Sequence, residues 1–270
     1  MNNNLLTHDE LKLALCSILK DFADFCDRND LKYVLCCGTL LGAVRHKGMI
    51  PWDDDIDVSM PRNDYERLNE LLKEDTIKPY YNPESLAIGN SPFPFLKLFD
   101  SRYEVVGAES ELNKNIWIDV FPVDGFPDNY VNDYSAFSAK IFNYCRLLAK
   151  SCKPVKFYGL SKFGLKQTVS VLISHFHSSY YYGNKLDEKS KLHTMTECEY
   201  SASICWNGVR GFLKSSRYFE DRVKVEFEGN EYYAPNDWDE YLTKFYGDYM
   251  KIPAEKERET HNVNAKKVEL

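Results

Sequence analysis

The sequence predicts an α+β fold, a mixed β-sheet core with flanking helices and a helical insertion. Three observations carry this. Apolar residues near the N-terminus recur at helical spacing, residues 33–121 break into short β-rich runs punctuated by Pro and Gly, and from residue 128 the helical period returns. At 270 residues and 44% hydrophobic content, the chain is long and apolar enough to bury a substantial core.

Each element has its own justification. Leu11, Leu15, Ile18, Leu19, Phe22, Phe25 and Cys26 make one helix face, with Thr7 or Asp9 as cap and Asp27-Arg28-Asn29-Asp30 as its end. Residues 1–30 are thus an N-terminal helix packed on the core. Tyr33 to Cys37 reads as a buried strand entering a small-residue turn, Gly38-Thr39, which opens a helix. Asp55 to Met60 reads as a second strand, and Asn63 as the cap of a helix from Asp64 to Lys73. Phe95–Phe99, Tyr103–Val106 and Ile116–Phe121 complete a catalytic core over residues 31–127.

Residues 128–215 form the insertion, with Tyr134, Phe137, Ile141, Phe142 and Leu148 on one helix face and a less regular stretch from Phe157 to His177. Residues 216–254 complete the domain with a hairpin (Val223–Phe227, a Gly229-Asn230 turn, Glu231–Tyr233) and a short helix from Asp237 to Tyr246. Residues 255–270 read as a charged tail without an apolar face, free to fray. There is no internal repeat or low-complexity segment.

Charge and targeting signals narrow the classes. A net charge of −7 disfavours general nucleic-acid binding, which needs a basic surface to displace counterions. The N-terminus lacks a secretory signal and no apolar run approaches the ~20 residues of a membrane span, which predicts a soluble cytoplasmic protein. No polybasic run marks a membrane anchor. Eight cysteines fit that compartment as reduced thiols. Cys145/Cys152 and Cys198/Cys205 share a six-residue gap, but without short zinc knuckles they read as buried thiols rather than a zinc site.

The chemistry concentrates in CGTLLGAVRHKGMIPWDDDIDVSM, residues 37–60. On a strand, Asp55 and Asp57 share one face while Ile56 and Val58 take the other, and Asp53 joins the acids if the strand starts early. Carboxylates converging in this way repel one another, and a divalent cation is the usual relief. The interleaved Ile50, Trp52, Ile56, Val58 and Met60 argue against a solvated acidic loop. An EF-hand is excluded because Asp53–Asp64 lacks the central Gly and terminal Glu. Gly38 and Thr39, opening a helix, offer backbone N–H groups to an anion. A phosphate cradle beside a metal-binding strand points to phosphoester chemistry.

GTLLGAVRHKGMIPWDDDIDV closely resembles the signature of the LicD family, which includes bacterial phosphocholine transferases and the related catalytic domain of fukutin-related protein. Trp117-Ile118-Asp119-Val120-Phe121-Pro122 with Asp124-Gly125, and Phe245-Tyr246-Gly247-Asp248-Tyr249-Met250 followed by Pro253, resemble later segments of that family, so the likeness spans roughly residues 30–260. It implies a nucleotidyltransferase-like fold. It also implies transfer of a substituted phosphoryl group, such as phosphocholine, from CDP-choline or a related cytidine-diphosphate donor to a hydroxyl of a cell-surface glycan. A glycolipid acceptor would bring peripheral contact with the inner face of the membrane.

On this reading Asp55 and Asp57 hold Mg²⁺ or Mn²⁺ against the donor diphosphate, and Asp119 completes the metal set from a neighbouring strand. Asp119 is the leading base for the acceptor hydroxyl, with Asp53 as its rival. Arg45, Lys47 and Lys97 meet the phosphates beside Gly38 and Thr39, Arg45 as a planar fork and Lys47 as a point charge. The bland alternative for Arg45 and Lys47 is pairing with Asp53 and Asp54. Trp52, Trp117 and the Tyr80-Tyr81 pair are candidates for a cage around a quaternary ammonium. Rival activities are transfer of a nucleoside monophosphate, metal-dependent phosphoester hydrolysis, and a degenerate binding module.

Overall fold

A computed structural model describes residues 5–106, 114–153, 155, 162–206, 208–258, 260 and 263–268. Helix α1 (His8–Arg28) begins where local chemistry dictates. The Thr7 hydroxyl accepts from the Glu10 amide while the Glu10 carboxylate accepts from the Thr7 amide at 2.7 Å. Its buried stripe of Leu15, Ile18, Leu19 and Phe22 packs on the sheet. Strand β1 (Val34–Leu35) leads into α2 (Cys37–His46), then β2 (Asp57–Pro61), α3 (Arg62–Glu74), β3 (Tyr81–Glu84), β4 (Leu96–Val105) and β5 (Asn115–Phe126).

The sheet runs β1-β2-β5-β4, with β3 also paired to β4. Strands β2 and β5 are parallel, and their neighbours β1 and β4 run antiparallel to them. Both central strands are therefore covered on their edges, which suits the near-continuous apolar run from Ile116 to Val123. The two short strands expected around residues 95–106 are one strand, β4, with a pairing irregularity between Asp100 and Glu104. Helix α3 starts at Arg62 without a side-chain cap, so Asn63 does not play the expected part.

The insertion contains α4 (Tyr134–Ser151), α5 (Lys162–Ser174) and α6 (Ser179–Ser190), followed by β6 (Tyr200–Ser203), β7 (Gly208–Lys214) and α7 (Ser215–Phe219). The start of its second expected helical stretch, residues 157–161, lies outside the described residues. Strand β6 pairs with the end of β5, so the sheet continues beyond the core. Phe126, Ile141, Leu148, Tyr182, Leu186 and Phe212 form a second core under α4 and α6. Arg62, at the start of α3, makes a two-pronged contact to Asp124 of β5 at 2.7 and 2.6 Å and reaches Asp187 of α6 at 3.3 Å. Removing one partner of such a buried pair typically costs ~3–5 kcal/mol.

The hairpin of β8 (Val223–Phe227) and β9 (Asn230–Ala234) closes through Glu228 and Gly229, both at positive φ, and α8 (Trp238–Tyr246) follows as expected. The C-terminal stretch departs from expectation. Rather than fraying, β10 (Ala265–Lys267) adds to the edge of β4, and the Leu6 amide donates to the Ala265 carbonyl at 2.7 Å. A charged strand is tolerated there because Lys266 and Lys267 lie on a sheet edge while Ala265 is buried.

Candidate active site

Strand register builds the site. Asp57 of β2 lies opposite Asp119 of β5, and Asp119 lies opposite Lys97 of β4. Residues abreast in a sheet present side chains to the same face, so two acids and a lysine share one row. The Lys97 ammonium sits 2.6 Å from Asp119 Oδ1, and the Trp117 indole N–H donates to Asp119 Oδ2 at 2.9 Å. Asp119 is only 9% exposed and has both oxygens engaged. That answers how an acid survives among Ile118 and Val120.

The remaining acids come from the loop before β2, which starts later than expected and leaves Asp55 outside the strand. Burial, followed by Asp55, pushes the Asp53 carboxyl up to about 8. Burial pushes Asp57 well above the usual carboxylate range, with Cys37, Asp55, Asp119 and Asp53 adding repulsion. Four acids of this chain therefore share one electrostatic neighbourhood. Asp54 faces elsewhere, accepting from the Thr260 hydroxyl at 2.9 Å and the Val263 amide at 2.8 Å.

Helix α2 supports this loop. A side chain on Gly38 would meet Asp53 Oδ2 at 2.7 Å, so glycine makes room for a carboxylate near the helix start. The Thr39 hydroxyl, buried, accepts from the Asp57 amide at 2.8 Å and fixes the start of β2. The small-residue turn thus holds the chain's own acids. Before it, Cys37 adopts φ 49° and its amide donates to the Tyr241 hydroxyl, a strained position held by tertiary contact.

Cations behave unequally. Arg45 donates to the Tyr249 carbonyl at 2.7 Å and to His46 Nε2 at 2.9 Å, and among the described residues it meets no carboxylate. Burial lowers the pKa of Arg45, and burial together with Arg45 lowers that of His46, so the imidazole stays neutral and accepts. Lys47 is exposed at the C-terminal cap of α2, at the opposite end from Gly38, where its carbonyl accepts from Glu228. The pairing of Arg45 or Lys47 with Asp53 and Asp54 is not what forms.

The aromatic candidates are covered by the chain's own cations. Arg258 stacks 4.3 Å over Trp52, Lys97 lies 4.4 Å over Trp117, and Arg102 lies 3.8 Å over Tyr80. Sequence reasoning missed three participants. Arg258 and Thr260 belong to the supposed tail, and Tyr246 sits in the third family-like segment. Burial, then the charges of Cys37, Asp57 and Asp53, raises the Tyr246 pKa, although the residue is partly exposed. A cavity of about 320 Å³ lined by Arg62, Asn63, Lys191 and His193 lies at the other end of β2 and contains none of these acids. Cys145, from the first cysteine pair, directs its thiol at the Cys205 carbonyl at 3.9 Å.

The donor set fits a divalent cation in its chemistry, since the oxygens are hard, desolvated and mutually repelling. It is not a closed cage as it stands: among the described residues no three His, Cys, Asp or Glu side chains form a ready-made group. Lys97 supplies the positive charge at Asp119.

A parallel strand pair carrying acids abreast, preceded by a helix that opens at Cys37-Gly38, marks the site of a mixed α+β domain. The family model described as LicD/FKTN/FKRP, nucleotidyltransferase domain, matches residues 30–162. The chain is 31% identical to the lipopolysaccharide cholinephosphotransferase LicD of Haemophilus influenzae, over 96% of this chain and 97% of that protein. Similarity also extends to an uncharacterised protein of Rickettsia prowazekii, 29% identical over 49% of this chain and 47% of its own length. The chain belongs to the LicD family and is a LicD-type enzyme.

Proposed function

We propose that the protein transfers phosphocholine from CDP-choline to a hydroxyl of a lipopolysaccharide or related cell-surface glycan, working in the cytoplasm at the inner membrane face. The near full-length similarity to a lipopolysaccharide cholinephosphotransferase supports the substrate class. The observation that carries the chemistry is the row Asp57–Asp119–Lys97 with Asp53 and Asp55 beside it.

Asp55 and Asp57 are the residues to hold Mg²⁺ or Mn²⁺, with Asp119 as third carboxylate. When bound, the metal neutralises charge on the donor diphosphate and favours in-line displacement. Arg45, free of acid partners among the described residues, offers its guanidinium to phosphate oxygens, and His46 holds it in place. Gly38 and Thr39 act indirectly, by seating Asp53 and the Asp57 backbone. The acceptor oxygen forms a bond to the phosphorus bearing choline, the bond from that phosphorus to the bridging oxygen breaks, and CMP leaves. Asp53 is the better candidate to take the hydroxyl proton. Both Asp119 oxygens already accept hydrogen bonds, from Lys97 and Trp117.

Incubation with CDP-choline and magnesium, with and without lipopolysaccharide, tests this. CMP released only with acceptor, together with choline-labelled glycan, is the expected result. Cytidylylated acceptor would instead establish nucleotidyl transfer, and acceptor-independent release would establish hydrolysis.

A further inference from the structure

Helix α5 is built the wrong way round for a globular domain. Among the described residues Gly164, Val171 and Ser174 are its buried positions, whereas Leu165, Val169, Leu172 and Ile173 are 44–52% exposed. Phe176, one turn further on, is 80% exposed. At 100° per residue the four on the helix fall within a stripe about 100° wide and form one apolar face, with Phe176 in the turn just beyond its C-terminal end. Small and polar residues on α5 turn toward α4: the Ser170 hydroxyl accepts from Arg146 and from Lys150. A soluble helix buries such a stripe, and a contiguous apolar face left outside marks an interaction surface.

The sequence around it is basic up to Asp187 and Glu188 at the end of α6, where Lys185 pairs with Glu188. Residues 134–186 contain eight Lys and Arg and no Asp or Glu, in a chain whose net charge is −7. Among the described residues, Arg146, Lys150, Lys153 and Lys166 make no ion pair. Burial and then the nearness of Arg146 and Lys166 lower the pKa of Lys150, as in a cation cluster lacking counterions. The basic residues are spread over three helices and the segment between the first two, so no polybasic run is visible in the sequence. No helix among the described residues is long and apolar enough to cross a membrane.

We propose that α5 and the basic surface around it form a membrane-docking element that seats the protein on an anionic bilayer, with the stripe Leu165–Phe176 inserted at the headgroup boundary. Arg146, Lys150, Lys153 and Lys166, without ion pairs among the described residues, complement anionic lipid headgroups, and a helix with an apolar face beside such cations lies in the interface plane. This deepens the glycolipid-acceptor reading, because a lipid-anchored acceptor is met in two dimensions. The docking itself does not depend on which group is transferred.

The test is co-sedimentation of the full chain with vesicles of phosphatidylcholine alone or mixed with phosphatidylglycerol, without donor or acceptor. The wild type should bind the mixed vesicles, weaken as salt rises, and ignore phosphatidylcholine. Lys153→Glu with Lys166→Glu should weaken binding by at least about tenfold, given the attraction of each surface cation. Leu172→Ser with Phe176→Ser should weaken it comparably. All four positions are exposed, so both pairs should melt like the wild type. Transfer to a lipid-free glycan fragment should be unchanged, so loss of that activity would count against the reaction assigned above and leave docking untouched. Absence of vesicle binding, or binding indifferent to both pairs, overturns the proposal. So does a wild-type dimer that the serine pair dissolves without any effect of lipid, which would make the stripe a contact between copies.

Discussion

The ammonium of Lys97 lies 2.6 Å from Oδ1 of Asp119, and the two residues are direct cross-strand partners on β4 and β5. Asp57 faces Asp119 from the other side of the same row. Among the described residues, Lys97 is thus the cation ion-paired with the acid cluster.

Lys97→Met keeps the chain length and removes the charge. Asp119 then sits beside Asp57 without compensation, and breaking a largely buried pair of this kind should destabilise by ~3 kcal/mol. The thermal midpoint should fall clearly, and magnesium should restore more of it in the variant than in the wild type. Identical melts for the two proteins, with and without magnesium, would show that Lys97 does not balance the cluster.

Asp57→Asn and Asp55→Asn should act in opposite directions on stability and activity. Burial and three neighbouring acids disfavour the charged form of Asp57, so the neutral amide relieves repulsion and should raise the melting midpoint of the metal-free protein. Transfer from CDP-choline should drop by about two to three decades, the scale of losing transition-state charge stabilisation. Near-normal turnover in both variants would move the metal site elsewhere.

Arg45→Ala separates donor binding from folding. Its contacts are the Tyr249 carbonyl and His46 at a half-buried position, so the melt should shift little. A charge-assisted contact to phosphate contributes ~1.5–3 kcal/mol, which predicts one to two decades weaker CDP-choline binding by calorimetry. Unchanged affinity would make Arg45 a clamp for Tyr249 alone.

Asp54→Ala tests the C-terminal segment. The Asp54 carboxylate receives Thr260 and Val263, so its loss should cost ~2 kcal/mol and unprotect the Val263 amide in hydrogen exchange. Trp52, stacked under Arg258 of the same segment, should report loosening as a red-shifted emission. Retained protection at Val263 would mean that β10 holds the segment without Asp54.

Cysteine labelling checks burial throughout the molecule. Cys26, Cys36, Cys37 and Cys205 are buried, with thiols pushed up by desolvation and, for Cys37, first by its hydrogen bond with Cys36, and should react with iodoacetamide only after unfolding. Cys16 and Cys145 lie at about 12, so their labelling should climb steadily with pH as the thiolate fraction grows. Cys198, raised less, should label first by mass spectrometry. Early modification of Cys36 or Cys37 in folded protein would contradict the packing around α2.

Local chemistry was legible in the sequence wherever interactions span a few residues. Thr7, one of two candidate caps, announced the start of α1, Gly229 the hairpin, and the alternation of Ile56, Val58 and Met60 with acids marked β2. The family-like segments likewise pointed to an acid-centred site on an α+β sheet. Only tertiary structure decided which acids meet. The register of β2 on β5 sets Asp57 against Asp119 across more than sixty residues, and no periodicity within either strand contains that choice. The same holds for the assignment of Lys97 to Asp119, of Arg258 to Trp52, and of Asp53 to the space left by Gly38. It holds again for α5, which the sequence shows only as a less regular helical stretch and whose outward apolar stripe depends on what α4 offers it. Short-range preferences are written residue by residue, whereas the pairing of distant segments is settled by the free energy of the whole packed chain.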